Sequence, residues 1–447
     1  MNKIFCIKPH QKKEPVLAVN PKIASELGLG KKKRAYVSFG VLKNYIDIEL
    51  DSELDEDVVL LSQAVIDNLH LPGYAPYEIR IKGNEIVIGP YIGMLVSDED
   101  ANITDARLNK FLIFVEDYEK LNGIFAVFAL DKVDTGRRLI EGYCYNPSGA
   151  CWERGVFPYP SAIYRTIGMT EDWRNHFLSV LGDKFFNDHF FNKWDMYRWF
   201  STDPGLRAYL PHTVLYRTYR DIRNMLQRYG RIIVKPVSGL KGRKIVKISL
   251  EDGGMVFRYR EDGKNQKVVL DKASDINKFI ESRFNSGKYL LQQVIDLLEY
   301  DGSIMDFRCA LQKDQSNNWV CNAVIGRFGD KDSIVSNVSS GGTTYKGSDL
   351  LKKVFCLPEE NINEIEGRME SLAVRIAATL DEFGVNCGTL GLDIGMDNAG
   401  RLWLIEINNR DPSPQYALDL DDKPLYGTIK TSPLLYAKAL AGFDIQR

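Results

Sequence analysis

Along residues 388–408, GTLGLDIGMDNAGRLWLIEIN, apolar side chains recur at every second position. Leu390, Leu392, Ile394 and Met396 alternate with Gly391, Asp393 and Gly395, an Asp-Asn-Ala-Gly turn follows, and Trp403, Ile405 and Ile407 then alternate with Leu404, Glu406 and Asn408. Period two predicts a β-hairpin and puts Glu406 and Asn408 on one face. A loop of two or four residues sets Asp393 opposite Leu404 on that same face, diagonal to Glu406 at roughly 7–8 Å, and a three-residue loop breaks the arrangement. Oxygen donors of this kind, without His or Cys, suit a hard ion such as Mg²⁺ or Mn²⁺. The structural alternative is an acidic, solvated sheet face.

The same reading carries along the chain. Residues 1–88 hold short β-rich runs, among them Ala35-Tyr-Val-Ser-Phe, Tyr45-Ile-Asp-Ile-Glu-Leu and Glu85-Ile-Val-Ile, which predict a small separate β domain. Residues 89–190 open with an apolar strand at Gly89-Pro-Tyr-Ile-Gly-Met-Leu-Val-Ser. A helical stretch over 106–122 and a continuous apolar strand at Ile124-Phe-Ala-Val-Phe-Ala-Leu follow, the order expected of a parallel α/β layer. Strands over 138–146 and 151–158 and an aromatic, helix-like region over 172–200 come next.

Farther on, Arg231-Ile-Ile-Val-Lys-Pro-Val-Ser-Gly-Leu-Lys-Gly reads as two strands joined by a loop containing Gly239 and Gly242. Glycines let backbone N–H groups approach phosphate oxygens, and Lys235 at the strand end reaches the same place. An ordinary hairpin turn rich in Lys and Gly fits these residues equally well. Residues 289–297 predict a buried strand whose following backbone can pair with a base edge. Asp306 and Arg308 share a strand face, and a partner strand brings Arg327 to it; the two guanidinium forks suit phosphate or carboxylate, with an Asp306–Arg308 ion pair as the structural alternative. The polar loop Ser336-Asn-Val-Ser-Ser-Gly-Gly, with Asn337, Gly341 and Gly342, suits close contact with a ligand. Ile365, Met369, Leu372, Ile376 and Leu380 predict a helix over 361–383, stopped by Gly384.

Composition narrows the classes. The chain has 447 residues, 44% hydrophobic and 26% charged, with a net charge of −2. That supports several globular domains and gives no reason to expect nucleic acid as a partner. The cluster Lys31-Lys32-Lys33-Arg34 reads as a solvated turn. No apolar run approaches the ~20 residues of a membrane span, and the start lacks a signal-peptide core, so cytoplasmic residence is the expectation. The seven cysteines are scattered without Cys-x-x-Cys spacing, which predicts reduced thiols and neither disulfides nor zinc. The five histidines show no catalytic spacing, which disfavours a Ser-His-Asp hydrolase and leaves no general base in view.

Taken in order, these elements resemble the ATP-grasp superfamily over residues 190–420. Closer still is the YheC/YheD family of spore-coat-associated ATP-grasp proteins, through Gly89-Pro-Tyr-Ile-Gly-Met-Leu-Val, Asn192-Lys-Trp, Lys235-Pro-Val-Ser-Gly, Asp306-Phe-Arg308, Asn337-Val-Ser-Ser-Gly-Gly and Leu392-Asp-Ile-Gly. The resemblance implies an α/β fold with α+β lobes. Its parts would be an N-terminal β-rich domain (1–88), a Rossmann-like pre-ATP-grasp α/β layer (89–190) and an ATP-grasp domain (191–447) with a small lobe to about 295 and a large lobe beyond it. It further implies that Lys193 and Lys235 bind the nucleotide, that the loop beginning at Ser238 and Gly239 covers the phosphates, and that Gln292, Gln293, Val294 and Ile295 form the adenine hinge. Asp393, Glu406 and Asn408 would hold Mg²⁺ or Mn²⁺, and Arg308, Arg327 and Arg410 would serve the reacting anions. The implied activity is ATP-dependent joining of a small-molecule carboxylate to an amine through an acyl phosphate. A non-catalytic coat scaffold and a small-molecule kinase are the competing readings, and a spore coat or a further copy of the chain is the implied macromolecular partner. One departure stands out: Asn409-Arg410-Asp411-Pro412 follows the acids where many ATP-grasp ligases have Pro-Gly, which leaves the substrate open.

Overall fold

A computed structural model describes residues 3–239, 244–251, 253–329, 343–409 and 415–443. Its first seven strands, from Ile4–His10 to Glu85–Gly89, close into a barrel. Closure comes from Ile4–His10, which pairs in parallel with Val58–Ser62 and antiparallel with Tyr77–Lys82. Alternation drives it: Phe5, Val37, Phe39, Tyr77, Ile86 and Ile88 fill the interior while Tyr36 and Tyr45 stay outside.

The barrel is less separate than its sequence suggests. Phe39 stacks on Tyr91 at 4.6 Å between ring centroids, and one apolar core runs from Phe5 through Tyr91 and Ile124 to Phe177 and Phe185. The second sheet has six strands in the order Cys151–Pro158, Leu139–Asn146, Ile124–Asp134, Tyr91–Ser97, Ala162–Arg165, Phe185–Phe186. Tyr91–Ser97 is parallel to both of its neighbours, while the outer strands 139–146 and 151–158 form an antiparallel meander, so the layer is mixed. The expected helix over 106–122 is three short pieces, Asp105–Asn109, Leu112–Val115 and Tyr118–Leu121. Leu108, Phe114, Val115 and Leu121 still pack inward, but the middle piece, Leu112–Val115, is a 3₁₀ turn that interrupts the α-helical ladder.

Residues 213–293 build a third, antiparallel sheet in the order Thr213–Leu215, Tyr289–Gln293, Arg231–Pro236, Val246–Glu251, Gly254–Glu261, Lys264–Leu270. Helices Tyr219–Tyr229 and Ala273–Arg283 bury Ile222, Leu226, Ile276 and Ile280 in its core. The fourth sheet is antiparallel too: Thr344–Lys346, Trp319–Phe328, Ser303–Lys313, Thr389–Met396, Leu402–Asn408. Helix Glu359–Glu382 packs Met369, Leu372, Ile376 and Leu380 into the core of that sheet. The last helix, Lys423–Leu440, ties the molecule together. Leu434, Tyr436 and Ala437 join the core under the second sheet, Gln312 donates to the carbonyl of Ile429 at 2.6 Å, and the buried Lys438 pairs with Glu78 of the barrel. Among the described residues no helix is long and apolar enough to cross a membrane.

Candidate functional site

The hairpin of residues 389–408 has Met396 opposite Leu402 and Ile394 opposite Leu404, so its loop is residues 397–401. That odd length, like a three-residue loop, would turn Asp393 away from Glu406. A β-bulge at Ile405 restores the face: beyond it Asp393 stands directly opposite Glu406, and Gly391 opposite Asn408. Two residues make this geometry. Asp397 locks the loop by accepting from the N–H groups of Ala399 and Arg401, both at 3.0 Å, and from Trp403 Nε1 at 2.9 Å. Gly395 lies beneath the Ile405 side chain, where a Cβ would come within 2.9 Å of its Cδ1.

Glu406 forms an ion pair with Lys193 at 2.9 Å, and the same ammonium donates to the carbonyl of Gly239 at 2.9 Å. Lys193 is placed by a capping box: it opens helix Lys193–Phe200 behind Asn192, whose side chain accepts from Trp194 and Asp195, while Asp195 reaches back to the Asn192 N–H. Lys235 is the penultimate residue of strand Arg231–Pro236 and is buried, with 6% exposure. Burial pushes its ammonium down to about 8, Lys193 adds to the effect and Glu406 opposes it. The structure thus gathers Lys193, Lys235, Gly239 and Glu406.

Beside them lies a buried network of two acids and two arginines. Register decides the pairing: Asp306 faces Arg327, and Arg308 faces Asp393, directly across the ladder. Arg327 accordingly holds both oxygens of Asp306 at 2.6 Å, and Arg308 holds Asp393 at 2.5 and 3.2 Å, with Arg327 adding a contact to Asp393 at 3.0 Å. The Arg327–Asp306 and Arg308–Asp393 pairs both run across neighbouring strands. Burial alone would raise the Asp393 carboxyl, but Arg308 and Arg327 outweigh it and hold it below the ordinary carboxylate range. Tyr416 covers both guanidinium groups at 5.3 and 5.9 Å. Nothing in sequence spacing announces Tyr416 as part of this site.

Asn408 donates weakly to Asp393 at 3.4 Å. Among the described residues no three His, Cys, Asp or Glu side chains cluster as a metal site, and the Asp393 carboxylate is committed to arginine, so Glu406 and Asn408 are the oxygen donors that could be offered to a divalent ion. Such a donor set fits Mg²⁺ with several retained waters.

The residues expected to form the hinge differ in their surroundings. Gln292 is buried and donates to Thr213 Oγ1 at 2.8 Å, and Gln293 accepts from the His212 N–H at 3.2 Å. Val294 and Ile295 follow the strand outside any ladder, half-buried. Ser238 precedes Gly239 on the exposed edge of the loop. Gly242, Asn337, Gly341, Gly342 and Arg410 lie outside the described residues.

Sequence reasoning missed Asn187. It is fully buried, accepts from the N–H groups of Gly388 at 2.8 Å and Thr389 at 3.3 Å, and donates to the carbonyls of Thr389 at 3.2 Å and Asn409 at 3.4 Å. One side chain thereby fixes the start of the Asp393 strand and the end of the Glu406 strand.

Two proteins of Bacillus subtilis (strain 168) are similar in sequence. "Endospore coat-associated protein YheD" is 27% identical, over 79% of this chain and 80% of its own length. "Endospore coat-associated protein YheC" is 21% identical, over 61% and 76%. Among solved structures, the VanG D-Ala:D-Ser ligase from Enterococcus faecalis overlays 77% of this chain and 98% of its own at a TM-score of 0.43 and 12% identity. The family model for YheC/D-like ATP-grasp matches residues 182–440, more than half of the chain and the whole of the third and fourth sheets together with the helix of Lys193, and the chain belongs to that family.

Proposed function

We propose that the chain is an ATP- and Mg²⁺-dependent carboxylate–amine ligase. The observation that carries the reading is Lys193, which bridges Glu406 and the Gly239 carbonyl beside the buried Lys235. Four cations, Lys193, Lys235, Arg308 and Arg327, meet three carboxylates, Asp306, Asp393 and Glu406, so the site has positive charge to spare for an anion as dense as a triphosphate.

In this reading Lys193 and Lys235 bind the phosphates under the loop of Ser238 and Gly239, and the backbone of Val294 and Ile295 takes the adenine edge. Glu406 and Asn408, with Asp393 once an arginine lets it go, would hold the metal, which neutralises phosphate oxygens during transfer. A substrate carboxylate oxygen attacks the γ-phosphorus and ADP leaves; the amine nitrogen then attacks the acyl carbon, the C–O bond breaks with its electron pair going to inorganic phosphate, and the proton lost from nitrogen passes to that phosphate or to solvent. Arg308, Arg327 and Arg410 orient the carboxylate and the oxygens that gain charge. The substrate class is an amino acid, peptide or related small carboxylate. The domain division at 88/89 and 190/191, and the spore association that the relatives' names carry, belong to the same proposal.

A second reading has one observation in its favour. Asp393 is held by two arginines, which describes a nucleotide-binding coat component without turnover as well as an enzyme at rest. Incubating the protein with ATP, Mg²⁺ and mixed amino acids, with Glu406→Gln as control, separates the cases. A condensed product with ADP and phosphate supports the ligase, a phosphorylated small molecule makes it a kinase, and nucleotide binding without turnover leaves the coat component.

A further inference from the structure

The second sheet carries a cavity of about 810 Å³ that the nucleotide site does not use. Its position follows from connectivity. From strand Tyr91–Ser97 the chain crosses over to the parallel strand Ile124–Asp134 on one side, whereas Ala162–Arg165, parallel on the other side, leads away to Phe185–Phe186. The two crossovers diverge at the border of Tyr91–Ser97 and Ala162–Arg165, and they take opposite faces: Leu108, Phe114 and Leu121 pack with Met94 and Val96, and Phe177 and Leu181 pack with Leu95 and Ile163. Such a switch point opens a crevice at the carboxyl ends of the strands. The cavity is there, walled by Val96 near the end of one strand and by Thr166 and Ile167 just past the other.

Its lining combines an apolar floor with excess positive charge. Met94 and Val96 are buried, and Phe111 and Ile167 are half-buried beside them. Three cations, Arg107, Lys110 and Lys430, face one carboxylate, Glu116. Arg107 is fixed at the strand end, donating to the carbonyls of Val96 and Asn102. Lys430 reaches in from the last helix, its ammonium 4.8 Å from the Phe114 ring, next to Tyr426. The Lys110 ammonium has no hydrogen bond or ion pair among the described residues.

We propose that this cavity binds a small organic anion, a carboxylate or phosphate on an apolar body, with Lys110 and Arg107 at the anionic end and Met94, Val96 and Ile167 against the body. The volume lies within the range of small-molecule sites. The site stands apart from the lysine and acid cluster, and its occupancy does not require ligase chemistry.

The test uses the full-length chain and the amphipathic anion 8-anilinonaphthalene-1-sulfonate, followed by fluorescence titration, with ADP binding measured in parallel. Saturable binding is expected, weakened at least about tenfold by Lys110→Glu and by Ala106→Trp, which fills the cavity from its rim, while ADP affinity and the thermal midpoint stay at wild-type values. Hexanoate and hexyl phosphate are both expected to displace the probe, the tighter of them naming the anionic group, and inorganic phosphate is not. Probe affinity unchanged in Lys110→Glu, absence of saturable binding, or displacement of the probe by ADP would overturn the proposal.

Discussion

Arg308 and Asp393 stand directly opposite on neighbouring strands and are joined by two hydrogen bonds, Nε to Oδ1 at 2.5 Å and Nη2 to Oδ2 at 3.2 Å, with both side chains buried. A buried pair of this kind contributes little over an apolar pair of the same shape, yet breaking it from one side leaves an uncompensated charge. Asp393→Asn is therefore expected to destabilise the protein by about 3–5 kcal/mol, and Arg308→Met with Asp393→Leu to recover most of that. Denaturant unfolding of the wild type and the two variants measures it; equal loss in the single and the double variant would show that the charges are not coupled.

Glu406 is different, because its side chain is 29% exposed and its partner Lys193 only 14% exposed at a helix start. Removing the charge costs the fold little. Glu406→Gln is expected to leave the thermal midpoint within about 2 °C of wild type and to lower ATP turnover by about 10²–10³-fold, the size typical of losing one group that stabilises transition-state charge. Mn²⁺ binding in the presence of ADP, followed by electron paramagnetic resonance, should weaken in parallel. Full metal affinity in the variant would place the ion elsewhere.

With Lys235 at the phosphates, as proposed, nucleotide binding would depend on pH. Its ammonium sits near 8 in the free protein, lowered chiefly by burial, and phosphate oxygens beside it would raise that value. A basic group whose pKa rises on binding takes up a proton, so ADP affinity should be flat below about pH 8 and fall above it as the free protein loses that proton first. Calorimetry at pH 8.5 in buffers of different ionisation enthalpy is expected to report net proton uptake, and Lys235→Met to abolish it. Proton release on binding would contradict the placement of Lys235 at the phosphates.

The parts of this molecule that were legible in its sequence are the local ones. Alternation exposed the hairpin of Asp393 and Glu406, helical spacing exposed Glu359–Glu382, and Asp306, Arg308 and Arg327 were visibly on facing strands. Non-local choices were hidden. Which acid each arginine takes depends on register between strands distant in sequence, and the bulge at Ile405 depends on an odd loop that Asp397 stabilises and on the space above Gly395. Helix Lys423–Leu440 crosses from the fourth sheet to the second, a path that no periodicity in its own residues specifies. The cluster of Lys193, Lys235 and Glu406 came from the order of motifs, because residues so far apart share no spacing.

Asn187 is the side chain on which the two site strands converge, and it gives the last prediction. It lies between strand Phe185–Phe186 and helix Lys193–Phe200 with φ of 54°, a left-handed conformation that Asn tolerates better than most residues. Four backbone contacts depend on its amide, at Gly388, Thr389 and Asn409, and each buried group left without a partner costs about 1–3 kcal/mol. Asn187→Ala is expected to lose about 2–4 kcal/mol in denaturant unfolding, since it strands these groups and strains the backbone together. Asn187→Gly relieves the strain alone and should recover only a minor part of the loss, while Asn187→Asp keeps the acceptor toward Gly388 and Thr389 but faces two carbonyls that need a donor. Because Gly388 leads into the Asp393 strand and Asn409 ends the Glu406 strand, ADP affinity should fall with stability in the Ala variant. Stability lost with affinity unchanged would mean that the hairpin keeps its alignment without Asn187.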